Sequence, residues 1–368
     1  MKIINVVQDF NAGGIQKLLL EYLKYFKDNQ NIDYQVVVLE KKYNSIYDKI
    51  CEKEHLKIIY LNSHISENKH YYIRKLQDWK NYNFPLYRYL KKEKPDVVHT
   101  HNTRIFIRIQ WCIKKLHNKY KWFHTLHSDP YAVNDIHVPI AKRVFNEYNV
   151  CPICLNETQF IKAKERYDLK TCEFLFNAFD QEALLKNVSP KETIKKELQI
   201  PQDCLVIGCV GRIAPVKNYS FFVEIMNEII KQNPKAIGLI VGDKSNAKEV
   251  EDKIHLLNLE KHIRLVDTRN DIQNIFNILD RFVITSISEA SSFVVLEAQL
   301  FGKYCVISSA IPKESICSNK VVSLGLEQSP KTWASEILHP VHFSKQNQTL
   351  ENYSIINTTK KMLNIYSK

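Results

Sequence analysis

Short β-branched runs alternate with longer, more polar segments along the whole chain. In the first half KIINVV (2–7), YQVVVL (34–39), LKIIYL (56–61), DVVHT (96–100), KWFHTL (121–126), VCPICL (150–155) and CEFLF (172–176) read as buried strands. Segments near 15–28, 44–54, 70–93, 103–119 and 157–167 have helical spacing or length. Such alternation predicts βα units around a parallel sheet covered by helices. The rhythm restarts after a polar stretch at 180–203, with strands expected at 205–210, 236–242, 263–266, 281–286, 304–309 and 321–324 and helices at 218–232, 246–258, 271–278 and 292–301. Two doubly wound α/β domains follow, residues 1–180 and 181–350, and the last stretch, 351–368, predicts a helix without a sheet of its own that packs back on the first domain.

A chain of 368 residues, 45% of them hydrophobic, has enough apolar surface for two cores. It has no long uncharged apolar run, and MKIINVVQDF meets Asp9 too early for a signal peptide, so a cytosolic protein is expected. Nine cysteines fit that compartment, and only Cys151 and Cys154 form a CxxC, without a second pair or a histidine at zinc spacing; free thiols and no metal are expected. Lys and Arg exceed Asp and Glu by 52 to 40, which favours anionic partners such as phosphates, nucleic acid or acidic lipid. YRYLKKEKP (87–95) and WCIKKLHNKYKW (111–122) mix bases with aromatic and aliphatic residues, as suits either a helix on an anionic membrane surface or an ordinary solvated face. Nothing resembles a nucleic-acid module, and that class of partner is set aside.

Only eight glycines occur, so their placement carries weight. Gly13 and Gly14 end the first strand in QDFNAGGIQK, ahead of the first helix, where free amides can receive an anion or a sugar. Gly208 and Gly211 bracket the equivalent junction of the second domain, GCVGRIAPVKN. Neither loop has the GxGxxG or GxxxxGK[ST] arrangement, which tells against a nicotinamide dehydrogenase and a P-loop ATPase. Arg212 follows the strand directly and Lys217 stands five residues on, so both can converge on a diphosphate above the carboxyl edge of the sheet. The same spacing also fits a solvated loop pair.

SEASSFVVLEAQLFG (288–302) places two carboxylates eight residues apart. The preceding strand ends at Ser286, residues 287–290 read as a loop, and Ser291 or Ser292 is a competent N-cap for a helix that Gly302 terminates. Glu289 then lies in the loop at the carboxyl edge. Glu297 lies one to two turns inside an otherwise apolar helix, where an unpaired carboxylate is costly and a ligand or donor partner is expected. Were the span wholly helical, about 12 Å would separate the two, too far for a coupled acid pair. Each can accept hydroxyl hydrogen bonds from a different part of an extended ligand.

The combination of GG near the N-terminus, DVVHTH, TLHSD, FNAFD, GRIAPVKN and EASSFVVLEAQLFG closely resembles the retaining glycosyltransferases of family 4, which have the GT-B fold. TRNDIQNIF followed by EAQLFGKYCVISSAIPKE looks like the bacterial capsular and exopolysaccharide branch. The resemblance spans nearly the whole chain and implies two Rossmann-like domains facing each other across a cleft, with the C-terminal helix returning to the first. It implies a nucleotide-sugar donor, a UDP-sugar, held mainly by the second domain: Arg212 and Lys217 on the diphosphate, Glu297 on the ribose hydroxyls, Glu289 on the donor-sugar hydroxyls, and Arg269 near the base. Amides of Ser291, Ser292 and Phe293 would add the helix dipole to the phosphate site. Gly14 matches the first-domain loop near donor phosphate and acceptor, and His127 the histidine near the donor sugar, whose backbone carbonyl is expected to stabilise an oxocarbenium-like centre. The implied reaction is front-face displacement with retention, and neither a cofactor beyond the donor nor a metal is implied. The implied acceptor is a growing glycan on a lipid carrier at the inner face of the membrane, in capsule, exopolysaccharide or O-antigen synthesis.

Other positions carry weaker expectations. His99 reads as core, His101 as edge-facing toward an acceptor, and Asn177 of FNAFD resembles the family's Asn-x-x-Asp segment at the domain hinge. Two departures stand out: Ala290 follows Glu289 and Ala178 follows Asn177 where the family commonly has glycine. A nucleotide-sugar epimerase, a phosphorylase and a non-catalytic sugar-binding or assembly protein are the competing readings. The retained set Arg212, Lys217, Glu289 and Glu297 argues against loss of catalysis, because drift removes costly, partly buried charges first.

Overall fold

Each of the apolar runs contains a strand. The structure, a computed structural model, describes every residue except 12, 43, 64–76, 78, 102, 290 and 341–347. The chain divides into one unit of Met1–Phe179 with Tyr353–Lys368 and a second of Asp180–Asn352.

In the first unit β1 (Lys2–Val7), β2 (Asp33–Glu40), β3 (Ile58–Ser63), β4 (Val97–His101), β5 (Lys121–Thr125), β6 (Cys151–Cys154) and β7 (Glu173–Phe174) form one sheet in the order β3-β2-β1-β4-β5-β6-β7. All neighbours in it run parallel. In the second unit β8 (Val206–Val210), β9 (Ile237–Val241), β10 (Ile263–Val266), β11 (Arg281–Ile284), β12 (Tyr304–Ser308) and β13 (Val321–Leu324) repeat that arrangement as β10-β9-β8-β11-β12-β13, again parallel. In each sheet the winding reverses beside its first strand, between β1 and β4 and between β8 and β11. At that point the loops leaving the two carboxyl ends diverge and open a crevice for ligands.

Burial on both faces explains the continuous apolar strands. Alternate residues of β8 serve separate cores: Ile207 and Cys209 pack with Phe222, Met226 and Trp333, whereas Val206 and Val210 pack with Phe276, Leu279 and Phe282. Helix Tyr219–Gln232 contributes Phe222, Val223, Met226 and Ile229, the i, i+4, i+7 stripe of an amphipathic helix. Gly208 lies within β8 rather than at the loop, and a Cβ there would meet Leu279 at 2.4 Å. Its lack of a side chain is therefore a packing requirement, and of the two glycines that bracket this junction only Gly211 lies past the strand.

Three further differences from the sequence expectation have local causes. The polar stretch 180–203 carries helices Gln181–Leu185 and Lys191–Glu197, fixed to helix Ile272–Ile278 when Asn274 Oδ1 accepts from the Ser189 amide (2.7 Å) and Asn277 Nδ2 donates to the Ser189 carbonyl (3.0 Å). The helix expected over 103–119 is broken into Thr103–Arg108 and Gln110–Leu116 because buried Asn83 takes the Arg108 carbonyl (2.9 Å) and the Cys112 amide (3.0 Å) with its own amide group. Helices Val138–Asn146 and Pro330–Leu338 join the predicted set. The upstream part of the helix expected over 70–93 lies outside the described residues; its end is the π-turn Trp79–Asn83 and helix Phe84–Glu93.

The chain's last helix, Ile355–Ser367, belongs to the first unit. Main-chain bonds between Phe179 and Tyr353 and between Ile355 and Phe179, both 3.1 Å, anchor its start. Near its end Lys121 Nζ donates to the Tyr366 carbonyl (3.2 Å) and the buried Tyr366 hydroxyl meets His99 Nδ1 at 2.5 Å.

Candidate functional site

The carboxyl edge of the second sheet is built by three loops tied to one another. Gly211, directly after β8, adopts φ +146°, a conformation that favours glycine, and its amide donates to the Val241 carbonyl (2.9 Å). Gly242, directly after β9, approaches so closely that a Cβ would lie 2.0 Å from the Gly211 carbonyl oxygen. The next loop turns through Pro215–Lys217 and a left-handed Asn218 before helix Tyr219–Gln232. Thr285, just past β11, donates through Oγ1 to the carbonyls of Lys217 (3.0 Å) and Asn218 (2.9 Å), and the Ile287 amide donates to the Val216 carbonyl (2.8 Å). The loops after β8 and β11 thus hold each other across the switch point.

This framework pairs Lys217 with Glu289, whose side chains are 18% and 13% exposed. Ser286 Oγ donates to the same Glu289 oxygen (2.9 Å), and the Ser286 carbonyl accepts from Ser308 Oγ (2.6 Å). Arg212 is exposed beside the cluster; its guanidinium adds to the lowering of the Asp243 carboxyl below its usual range, after the larger effect of the hydrogen bond from the Ser245 amide. Helix Phe293–Leu300 starts from the same loop, and Gly302 at φ +67° ends it. Ser292 occupies the N-cap position, but its Oγ makes no capping bond and is buried without a hydrogen-bond partner. The cap expected from Ser291 or Ser292 is thus positional: Ser292 leaves the helix's first amides, that of Phe293 included, to be met by something other than its hydroxyl. Glu297 is 1% exposed within this helix. Ala290, the departure from the family's glycine, lies outside the described residues.

The corresponding edge of the first sheet carries a group of histidines, with the carboxylates of Asp9 after β1 and Glu40 at the end of β2. His101, the last residue of β4, is buried rather than edge-facing, which corrects the sequence expectation. Asn5 Oδ1 accepts from His101 Nε2 (3.0 Å), so His101 Nδ1 accepts in turn from His127 Nε2 (2.9 Å). The His127 tautomer fixed this way leaves its Nδ1 as an acceptor. His99 is buried as expected, stacked on His101 with ring centroids 4.1 Å apart and bonded to Thr125 Oγ1 (2.7 Å). Burial keeps His124 neutral, down to about 3, partial burial lowers the half-buried His127, and burial with neighbouring imidazoles holds His99 and His101 well below the usual range. Gly14 begins helix Gly14–Phe26, and a side chain there would meet nothing within 4 Å.

Two residues singled out from sequence are placed differently from the rest. Arg269 is spent on Asp271 (2.6 Å) and Glu197 (2.5 Å), outside the Lys217–Glu289 cluster, and hydrogen bonds to those carboxylates raise its pKa. Asn177 is buried with an unpartnered Oδ1. Sequence reasoning missed Gly242, Thr285 and Ser286 as framework and Asn5 as partner of His101. A glycine at a strand end was a usable signal for the first, whereas Thr285 and Ser286 were assigned to the strand itself. The cysteines are unpaired, with Cys154 Sγ 3.0 Å from Cys172 rather than joined to Cys151.

Two parallel sheets of this order are the GT-B architecture. Over the whole chain the structure is similar to HepE of Anabaena in complex with UDP and glucose (18% identity, TM-score 0.79, 99% of that chain covered) and to a glycosyltransferase of Rickettsia africae (19%, TM-score 0.79, 97% covered). The UDP-Gal:α-D-GlcNAc-diphosphoundecaprenol α-1,3-galactosyltransferase of Escherichia coli is 27% identical over 302 residues, 76% of this chain and 77% of that protein. Residues 190–354 match the family described as Glycosyl transferases group 1, so the second unit carries that family's domain. The fold and this match over the second unit make the chain similar to the glycosyltransferases.

Proposed function

We propose that the chain is a retaining glycosyltransferase that moves a hexose or N-acetylhexosamine from a UDP-sugar to a lipid-linked glycan at an anionic membrane surface, without a metal. The observation that carries this reading is the Lys217–Glu289 pair at the β8/β11 switch point, with buried Glu297 on the helix that starts beside it. Lys217 and exposed Arg212 receive the diphosphate, together with the amides of Ser291, Ser292 and Phe293. Glu297 accepts from the ribose hydroxyls. Glu289, oriented by Ser286 and Lys217, accepts from the donor sugar.

In the transfer the bond from the anomeric carbon to the phosphate oxygen breaks while the acceptor oxygen bonds on the same face. The acceptor's proton passes to the departing phosphate oxygen. Lys217 and Arg212 stabilise the charge that gathers there, and no pair of glycosidase-type carboxylates is required. On the first unit's own sheet edge His127 Nδ1 offers an acceptor to a sugar hydroxyl, and the open space at Gly14 leaves room for a ligand beside that loop. UDP in a neighbour of the same fold and an undecaprenol-linked acceptor in the name of the E. coli relative support the choice of donor and acceptor.

Calorimetric titration with UDP and with UDP-glucose, UDP-galactose and UDP-N-acetylglucosamine tests the donor. Turnover on a polyprenyl-diphosphate sugar, with the anomeric configuration read by NMR, tests the reaction. Absence of binding by every nucleotide sugar overturns the reading.

A further inference from the structure

A face of the first unit combines exposed rings with unbalanced positive charge. Trp79, Phe84, Tyr87 and Trp111 form one aromatic cluster, with ring centroids 5.5 Å apart for Trp79 and Phe84, 5.7 Å for Trp79 and Trp111, and 5.4 Å for Tyr87 and Trp111. Trp79 is 38% and Phe84 41% exposed, large apolar areas for adjacent side chains. Cations lie over three of the rings: Arg88 over Phe84 (5.9 Å), Lys91 over Tyr87 (5.7 Å) and Lys115 over Trp111 (6.0 Å). Residues 79–92 and 110–119 together contain seven Lys or Arg and no Asp or Glu.

The patch is built in advance. Asn83 bridges the Arg108 carbonyl and the Cys112 amide, so it fixes the segment carrying Trp79 and Phe84 against the helix carrying Trp111. Helix Phe84–Glu93 feeds the amino end of β4, so in a parallel sheet its own start lies toward the carboxyl edge. That is the edge bearing Gly14 and His127.

We propose that this face docks on an anionic phospholipid bilayer, with Trp79 and Phe84 entering the headgroup layer and the surrounding Lys and Arg meeting lipid phosphates. Indole and phenyl rings rimmed by long basic side chains match an interface that is apolar below and negative above. The purpose of the contact rests on the lipid-linked acceptor proposed above, but the contact itself is a separate property.

Flotation of the full chain with vesicles of phosphatidylcholine, alone or with phosphatidylglycerol added, tests it. The wild type should float with the anionic vesicles, less so at high salt. R88Q/K91Q/K115Q should lower partitioning about fivefold for each cation removed. W79A/F84A should lower it about tenfold and remove the blue shift of tryptophan fluorescence on vesicle addition. Both variants should keep the circular dichroism spectrum and Tm of the wild type, which verifies their folding independently of any UDP-sugar binding. Equal partitioning of wild type and both variants, or flotation indifferent to phosphatidylglycerol, overturns the proposal even if UDP-sugar binds. Flotation that follows the predicted pattern supports it even if no nucleotide sugar binds and the transfer reading fails.

Discussion

The crevice beside β8 in the second unit is charged: Lys217 pairs with Glu289, Arg212 stands exposed next to them, and Glu297 is buried in the adjoining helix. The crevice beside β1 in the first unit presents Asn5, His101 and His127, with their protons already assigned by hydrogen bonds, and the Asp9 carboxylate in the loop that leaves β1. The strand orders match apart from the extra edge strand β7 of the first sheet, so the sheet sets where a ligand is met, and the loops set which ligand. Fixed cations suit a diphosphate and its departing charge. Neutral imidazoles hold no anion, but they orient hydroxyls without competing for the phosphate.

The sharpest way to break that contrast is to remove the charge from the second unit. Lys217→Ala should lower kcat about 100- to 1,000-fold, the range for losing one preorganised charge-stabilising donor, with a smaller effect on UDP affinity. Steady-state rates beside calorimetric Kd values separate the two, and an unchanged kcat would mean that the pair is only structural. Glu297→Ala should raise the Kd for UDP about 10-fold or more through loss of charge-assisted bonds to the ribose, while Glu297→Gln keeps part of the affinity. A Kd equal to that of the wild type would remove Glu297 from the site.

A third variant probes the frame rather than the charge. A methyl group at Gly242 meets the Gly211 carbonyl oxygen at 2.0 Å, and the loop bearing Arg212 must shift to admit it. Gly242→Ala should cost about 2 kcal/mol and about 4–8 °C in Tm for the second unit, with weakened UDP binding in the protein that remains folded. A Tm within a degree of the wild type would show that the loops are not held as closely as the geometry says.

Strands and their order of appearance were legible because burial on both faces writes itself as a continuous apolar run, as in VVVL of β2 and VIGCV of β8. Arg212, Lys217, Glu289 and Glu297 were legible as charges placed at strand ends or on an apolar helix. What could not be read was pairing across the switch point: Lys217 and Glu289 stand 72 residues apart and meet only because β8 and β11 become neighbours. The His101–His127 bond hides for the same reason, as does the break in the helix at Ile109, which is imposed by Asn83 from an earlier element. Helices Val138–Asn146 and Pro330–Leu338 each carry proline in the first turn, where its fixed φ assists a helix although the residue reads as a breaker.

The neutrality of the first unit's buried histidines has a cost that pH exposes. A histidine kept neutral by burial in the folded chain takes up its proton on unfolding. Its contribution to stability is therefore complete above its unfolded pKa near 6.5 and is lost as pH falls from there toward the folded value, about 3 for His124. His124 is the cleanest member to test, because its ring stacks on Phe106 at 4.3 Å, its Nε2 has no partner, and its Nδ1 bond to Thr100 Oγ1 (2.8 Å) is backed by a Thr100 bond to the Phe123 carbonyl (3.2 Å). His124→Phe keeps the stacking and removes one titrating group. Chemical denaturation of wild type and variant at steps from pH 7.5 to 5 should show the wild type losing stability faster toward acid, with the two curves drawing together as pH falls. Parallel curves would mean that His124 takes up its proton at the same pH in the folded chain as in the unfolded one, and burial would not be holding this imidazole neutral.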